Sequence, residues 1–354
     1  MAYTDIDKSD DYFNTVLYTG NGSSGHAITG VGFQPDFVWI KGRTNVATTE
    51  HNRWTDVVRG PLQTLTSDET GADTVRSGGV ASFDSDGFTV GNDGSFNYSG
   101  MSVVAWNWLT DNTSGSSNTD GLITSTVSAN TTAGFSIVSY TGTGNSNNTV
   151  GHGLTQPLDL LIVKNRDASA GWKVGSTALS GNGYDYSLAL QGTSAENANS
   201  SPFNNTAPTS SVFTIANFSY ADTNVSGQDF VAYCFHSVKG FSKIGSYTGN
   251  GSSTNGAFVY TGFKPAWFMI KRTNSTESWY IHDNKRDTFN PSDKHLLANS
   301  SNAENPQEDI DLLSNGIKIR STDSGYNASG STYMYMAFAE NPFVTSTGIP
   351  GLAR

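Results

Sequence analysis

Cysteine is almost missing from this chain: Cys234 is the single one in 354 residues. An intrachain disulfide and a zinc site built on cysteine pairs are therefore excluded. Positive charge is scarce as well, with 20 Lys and Arg against 31 Asp and Glu and a formal charge of −11. A chain this acidic is repelled by phosphate backbones, so nucleic-acid binding is not expected. No apolar run approaches the roughly 18 residues of a membrane-spanning helix, so no membrane insertion is expected either. The opening MAYTDIDKSDDYFNT carries four aspartates and no apolar core. It does not read as a secretory signal, and synthesis in a cytoplasm is expected. Leu, Ile, Val and Phe together make up only about a fifth of the chain, near the border of disorder. The 12% aromatic content argues instead for a folded chain with small aromatic cores between polar loops.

What is present is repetition. Tyr-Thr-Gly-x-Gly begins at Tyr18, Tyr140 and Tyr247. A proline followed by an apolar run ending in lysine occurs as Pro35 to Lys41, Pro157 to Lys164 and Pro265 to Lys271. Trp54, Trp172 and Trp279 follow, and an apolar segment closes each unit at Val103 to Trp106, Phe230 to Phe235 and Tyr333 to Phe338. The tyrosines lie 122 and 107 residues apart and the prolines 122 and 108, so four landmarks recur in the same order at nearly the same spacing, the first interval lengthened by the Ser/Thr/Asn/Gly-rich segment Thr110 to Gly134.

Within a unit the pattern is β. Short apolar runs rich in β-branched and aromatic residues are bounded by Gly, Asn, Asp and Ser. Asp86-Gly87 and Asn315-Gly316 are hairpin signals at matching places. Helical periodicity is nearly absent, and Asn305 to Leu313 is the one segment expected to form a helical turn or two. About 100 residues of short strands per unit predicts a two-sheet antiparallel sandwich. The expected fold class is all-β, three tandem antiparallel β-sandwich repeats at 12–110, 135–239 and 240–344. A Ser/Thr/Asn-rich linker or surface excursion is expected at 111–134, with an N-terminal extension at 1–11 and a tail at 345–354.

Candidate sites are few. Gly20 to Gly25 matches GxGxxG, but a phosphate loop needs a helix immediately after it, and His26 to Phe33 leads into a strand; a hairpin turn is expected. Asp84-Ser-Asp86-Gly87 resembles the start of a calcium loop but offers two carboxylates where a hard cation wants six or more oxygens, so it reads as a tight turn. Glu304, Glu308, Asp309 and Asp311 are the carboxylates from which a glycosidase pair would be drawn, and otherwise form a solvated acidic face. His26, His51, His152, His236, His282 and His295 are scattered, with no HExxH or other close pair, and read as surface or loop residues. A GxSxG nucleophile elbow is missing too. The three repeating tryptophans are either sugar-stacking platforms or core plugs, and recurrence favours plugs at the same place in each sandwich. Lys41/Arg43, Lys164/Arg166 and Lys271/Arg272 read as strand-end ion pairs or apolar-surface covers. No catalytic residue, metal ligand or cofactor is assigned, and no ligand-binding residue is named. Recognition is expected on the dissimilar loops Thr141–Gly153, Asn197–Ser211 (with Phe203) and Asn299–Asp311.

The opening Ile6-Asp7-Lys8 through Leu17-Tyr-Thr-Gly-Asn-Gly22, Gln34-Pro-Asp-Phe-Val-Trp-Ile-Lys41, Val57-Val-Arg-Gly-Pro61, Ser82 to Val90 and Val103-Val-Ala-Trp-Asn-Trp108 resemble virion proteins of marine tailed bacteriophages. The resemblance spans nearly the whole chain and is weakest in unit two, where Ser211-Val-Phe-Thr-Ile215 replaces the Asp-Ser-Asp-Gly hairpin. It implies jelly-roll or lectin-like domains, a non-catalytic tail-fibre or appendage component of the virion, and host-surface glycan attachment. Other virion proteins are the implied partners, and a homo-oligomer, guessed as a trimer, is the implied assembly. The alternatives are a capsid decoration or capsid-fibre protein, and a polysaccharide depolymerase centred on Glu304, Glu308 and His282.

Overall fold

The computed structural model describes residues 3–44, 50–198, 202–217 and 223–350. A 3-10 turn at Ser9–Asp11 and one helical turn at Gly94–Asn97 are the helical elements among them. Among the described residues no helix is long and apolar enough to cross a membrane. The described residues are nearly all-β and their sheets are antiparallel.

Three large sheets carry the landmarks in one spatial order. In the first, the neighbours are Phe13–Thr19, Ser102–Trp108, Phe37–Gly42, Arg53–Asp56, Gln63–Thr66 and Thr74–Val75. In the second, Phe135–Thr141, Asp229–Phe235, Leu160–Asn165 and Lys173–Ser176 take the first four of those places. In the third they are taken by Ser242–Thr248, Thr332–Pro342, Phe263–Arg272 and Trp279–Asp283. The proline–lysine run and the closing segment are thus the two central strands of every sheet.

Central strands buried on both faces read as unbroken apolar runs rather than alternating ones. The two faces have different partners. Phe37, Trp39, Trp106 and Trp108 point one way, as do Leu160, Ile162, Tyr233 and Phe235, and Trp267, Met269, Met336 and Phe338. All twelve belong to one core shared by the three sheets. The intervening residues form a separate core for each sheet, with Val38 and Ile40 in the first, Leu161 and Val163 in the second, Phe268 and Ile270 in the third. Rings meet across every boundary: Phe37–Tyr233 at 4.9 Å, Phe235–Phe338 at 6.2 Å and Phe13–Phe338 at 4.9 Å between centroids. The outer faces are covered by smaller elements, among them the sheet His26–Thr29, Gly87–Val90, Val80–Asp84 and the pair Asn148–Gly151, Val212–Ile215.

The sheets close into a ring. The Asp73 amide donates to the Arg166 carbonyl (2.7 Å), the Glu196 amide to Thr273 (2.8 Å) and the Glu304 amide to Arg43 (3.0 Å). Each acceptor lies two residues past a strand-end lysine. The first unit therefore holds the second, the second the third, and the third the first.

Two expectations are corrected. Residues 111–134 are not only a linker: Ser116–Asn118 and Ser125–Asn130 extend the second sheet, and Val127 pairs with Val138. Asn305–Leu313 is a strand and not helical, because Ile310 and Leu312 alternate into the third core while Asp311 turns to Arg320.

Candidate functional site

The Tyr-Thr-Gly landmark is a lock repeated three times. The hydroxyls of Tyr18, Tyr140 and Tyr247 donate to the carbonyls of Phe96 (2.7 Å), Thr223 (2.7 Å) and Tyr326 (2.6 Å). The next residue is a buried asparagine each time. Asn97, Asn224 and Asn327 accept from the amides of Asn21, Thr143 and Asn250, all at 2.8 Å. A Cβ on Gly20, Gly142 or Gly249 would come within 2.2–2.4 Å of a backbone oxygen in the same strap, so only glycine fits. The GxGxxG loop is accordingly a structural turn that runs into a strand. In the sequence these asparagines carry no distinguishing pattern, because they sit among many other Asn, Ser and Gly residues.

The strand-end lysines mark the boundaries between units. Lys41, Lys164 and Lys271 are buried, and their ammonium groups donate to backbone carbonyls of Glu50, of Asn165 and Ala168, and of Arg272 and Thr193. Burial lowers the pKa of Lys41 and of Lys271 to about 8.

The tryptophans are core residues, but they do not share one place. Trp279 pairs across the sheet with Lys271, and Trp172 stands one step beyond the Val163–Lys173 pair. Their indole N–H groups donate to the preceding unit, Trp279 to Ala189 (3.1 Å) and Trp172 to Thr66 (3.0 Å). In the first unit that place belongs to Asn52, whose amide donates to Leu297 (2.9 Å) and Ser300 (3.0 Å). Trp54 lies two residues on, packed on Trp172 at 4.8 Å.

Two of the three boundaries carry a buried ion pair. Arg59 holds Asp56 (2.6 Å) and Asp73 (3.0 Å), and Asp56 accepts from Tyr233 of the second unit (2.8 Å). Arg286 holds Asp283 (2.5 Å) and Glu304 (3.3 Å), and Asp283 accepts from Trp106 of the first unit (3.0 Å). In the second unit Ser176 and Leu179 replace the Asp and Arg, and the residue of the third unit that corresponds in register to Tyr233 and Trp106 is the apolar Met336. Donor and acceptor are lost together, so no buried charge is left over.

The other candidates separate. Asp84 accepts from Ser82 (2.8 Å) and Thr89 (2.7 Å). Asp86 accepts from the amides of Gly32 (2.7 Å) and Gly30 (3.1 Å), which lower its pKa. Both are turn residues. Glu304 is bound by Arg43 (2.8 Å) and Arg286, Asp311 pairs with Arg320, and the Glu308 side chain lies outside the described residues. Cys234 is buried in the second core, and burial pushes its thiol pKa up. Phe203 is fully buried against Tyr184 (5.7 Å), which corrects its expected place in a recognition loop.

The histidines are less scattered than their spacing implies. His51 pairs with Asp68 (2.6 Å), and His26 contacts Asn97 (2.9 Å). His282, His295 and Asp309, on three neighbouring strands, converge with ligand atoms within 4.8 Å of one another. All three are buried; burial pushes His282 well below the usual histidine range and raises Asp309. A strand hairpin separates the two histidines in sequence, so no short-range motif announces them.

Two adjoining clefts share Asn284, one of about 210 Å³ lined by the third unit alone and one of about 240 Å³ on the rim between the first and third units. Lys264 and Glu340 pair there (2.5 Å), and Asn284 donates to Glu340 (2.8 Å) while its own carbonyl oxygen has no partner. Phe289 lines the first cleft with 85% of its surface exposed.

A family model described as "Domain of unknown function (DUF7483)" matches residues 8–342. The chain belongs to this family. The DUF7483 match runs through all three sheets, as the shared core and the ring do. No curated protein and no solved structure matches the chain.

Proposed function

We propose that this protein is a non-catalytic structural component of a phage virion, a tail-fibre or appendage module of three tandem β-sandwich repeats that contributes to host-surface glycan attachment. The observation that carries the scaffold reading is the use made of the recurring polar residues. The Tyr–Asn locks fasten a strand to the strap beside it, the buried lysines hold backbone carbonyls of loops, and the Asp–Arg pairs and Lys271 tie unit to unit. Each large sheet with its own outer core supports the sandwich description, and the pairing of Glu304 with two arginines speaks against its use as a glycosidase acid. The sequence resemblance supplies the virion setting, and with it other virion proteins as partners and a homotrimer as the assembly.

The two clefts support the glycan part. Asn284 and Lys264 offer polar groups beside the exposed Phe289 ring, and Glu340 stands in the adjoining cleft, the mixture of one aromatic face and a few fixed polar groups from which ligand sites are built. The test is titration of the purified chain with host-surface polysaccharide, with chain length followed by chromatography and mass by light scattering. Binding without cleavage, lost in Phe289→Ala, supports the reading. Depolymerisation would replace it with an enzyme, and no binding would move the protein to a capsid-decoration role.

A further inference from the structure

The outer core of the third unit has a polar centre where the second unit has an apolar one. His282 pairs with Phe268 across the sheet; the corresponding pair in the second unit is Leu161 with Gly175, and Phe203 and Tyr184 fill the space above that glycine. The fold therefore does not need imidazole there. In the third unit His282, His295, Asp309 and Tyr326 occupy it, every one of them buried.

The hydrogen bonds orient the groups. Ser292 donates its hydroxyl proton to Asp287 Oδ2 (3.1 Å), so it must accept from His282 Nδ1–H (3.1 Å). The bare nitrogen of His282 is then Nε2, turned inward, 2.9 Å from the Tyr326 hydroxyl. His295 Nδ1 stands 3.3 Å from Asp309 Oδ2, and Asp309 Oδ1 is buried with no partner. Leaving such an oxygen unpaired costs about 1–3 kcal/mol. A histidine whose second nitrogen is held by a hydroxyl–carboxylate relay is the outer-shell arrangement of metal-ligating imidazoles.

We propose that His282 Nε2, His295 and the Asp309 carboxylate form a three-ligand site for a divalent first-row transition metal, Zn²⁺ foremost. Two imidazoles and one carboxylate are a donor set this class of ion prefers over Ca²⁺ or Mg²⁺. Closing the donors onto one ion at about 2.0–2.2 Å requires the imidazoles to move inward by roughly an ångström. Tyr280 covers the cluster, its ring 5.2 Å from His295 and 4.7 Å from Tyr326. The ion would tie the strand Asn305–Leu313, whose register against Ser292–Leu297 is shifted, to the rest of the sheet.

The test uses the full chain. Elemental analysis after purification, and after chelator dialysis with Zn²⁺ added back, is expected to give one equivalent. Melting is expected to rise by several degrees with Zn²⁺ and to fall with chelator. Co²⁺ in its place should give visible ligand-field bands. Asp309→Asn and His295→Gln are expected to lose the ion, Ser292→Ala to weaken it about 10–100-fold, and Tyr326→Phe to keep it. If a variant fails to fold, wild-type metal content and the Co²⁺ spectrum decide. A chain that takes up no metal, a melting point indifferent to Zn²⁺ and chelator, or full binding in folded Asp309→Asn would each overturn the site.

Discussion

The indole N–H of Trp106, in the first unit, donates to the carboxylate of Asp283, in the third, at 3.0 Å, and neither residue is exposed. The contact joins segments 177 residues apart, and Tyr233 and Asp56 repeat it between the second unit and the first across the same sequence distance. Each is a polar stitch beside the shared apolar core.

That core makes the units mutually dependent. Calorimetry of the whole chain should show one cooperative transition, with calorimetric and van't Hoff enthalpies in agreement. Residues 240–344 expressed alone should be unfolded or aggregated, because Trp267, Met269, Met336 and Phe338 lose the surface they pack on. Three resolved transitions would show the units to be independent.

The charged stitches are expected to be strongly non-additive. Arg286→Leu leaves Asp283 buried without its partner and should cost about 3–5 kcal/mol. Adding Asp283→Ser, which copies Ser176 and Leu179 of the second unit, should recover a large part of that loss. Urea unfolding of both singles and the double measures it.

Asn52 does the work of a tryptophan. It accepts from Trp39 (2.9 Å) and donates to two carbonyls of the third unit. Asn52→Ala strands one indole N–H and two carbonyls, and a loss of about 2–4 kcal/mol is expected. A loss under about 0.5 kcal/mol, the usual size for a surface change, would remove Asn52 from the tie.

His152 should set an acid limit. Its Nδ1 accepts from the Leu154 amide (3.2 Å), so the ring must stay neutral, and burial lowers its pKa to about 4. The folded pKa lies below the ordinary value of about 6.5. Its stabilising contribution is therefore present above pH 6.5 and disappears as the pH falls towards 4, by about 3 kcal/mol in all. Urea midpoints at pH 7 and 4.5 should fall further for the wild type than for His152→Gln.

Phe203 and Phe289 should behave as opposites. Phe203→Ala empties a filled core position and should cost about 3–5 kcal/mol. Phe289→Ala should change stability by less than about 0.5 kcal/mol while weakening adsorption to host surface.

Local rules decided much of what the sequence makes legible. Tyr18-Thr-Gly20 and its two copies, the hairpin at Asp86-Gly87 and the central apolar runs are set by backbone geometry and burial, which act over a few residues and leave their pattern in the chain. Repetition alone announced three equivalent units. It did not say that the units share a core, since a strand buried against its own unit and one buried against a neighbour carry the same apolar residues. Trp54 and Trp172 look equivalent in sequence, yet register gives the place of Trp172 to Asn52, because strand position is settled by pairing partners and not by spacing alone. The ring of Asp73, Glu196 and Glu304, and the meeting of His282, His295 and Asp309, exist only once separate strands are laid side by side. Those contacts join residues far apart in the chain, and only the closed tertiary structure brings them within reach.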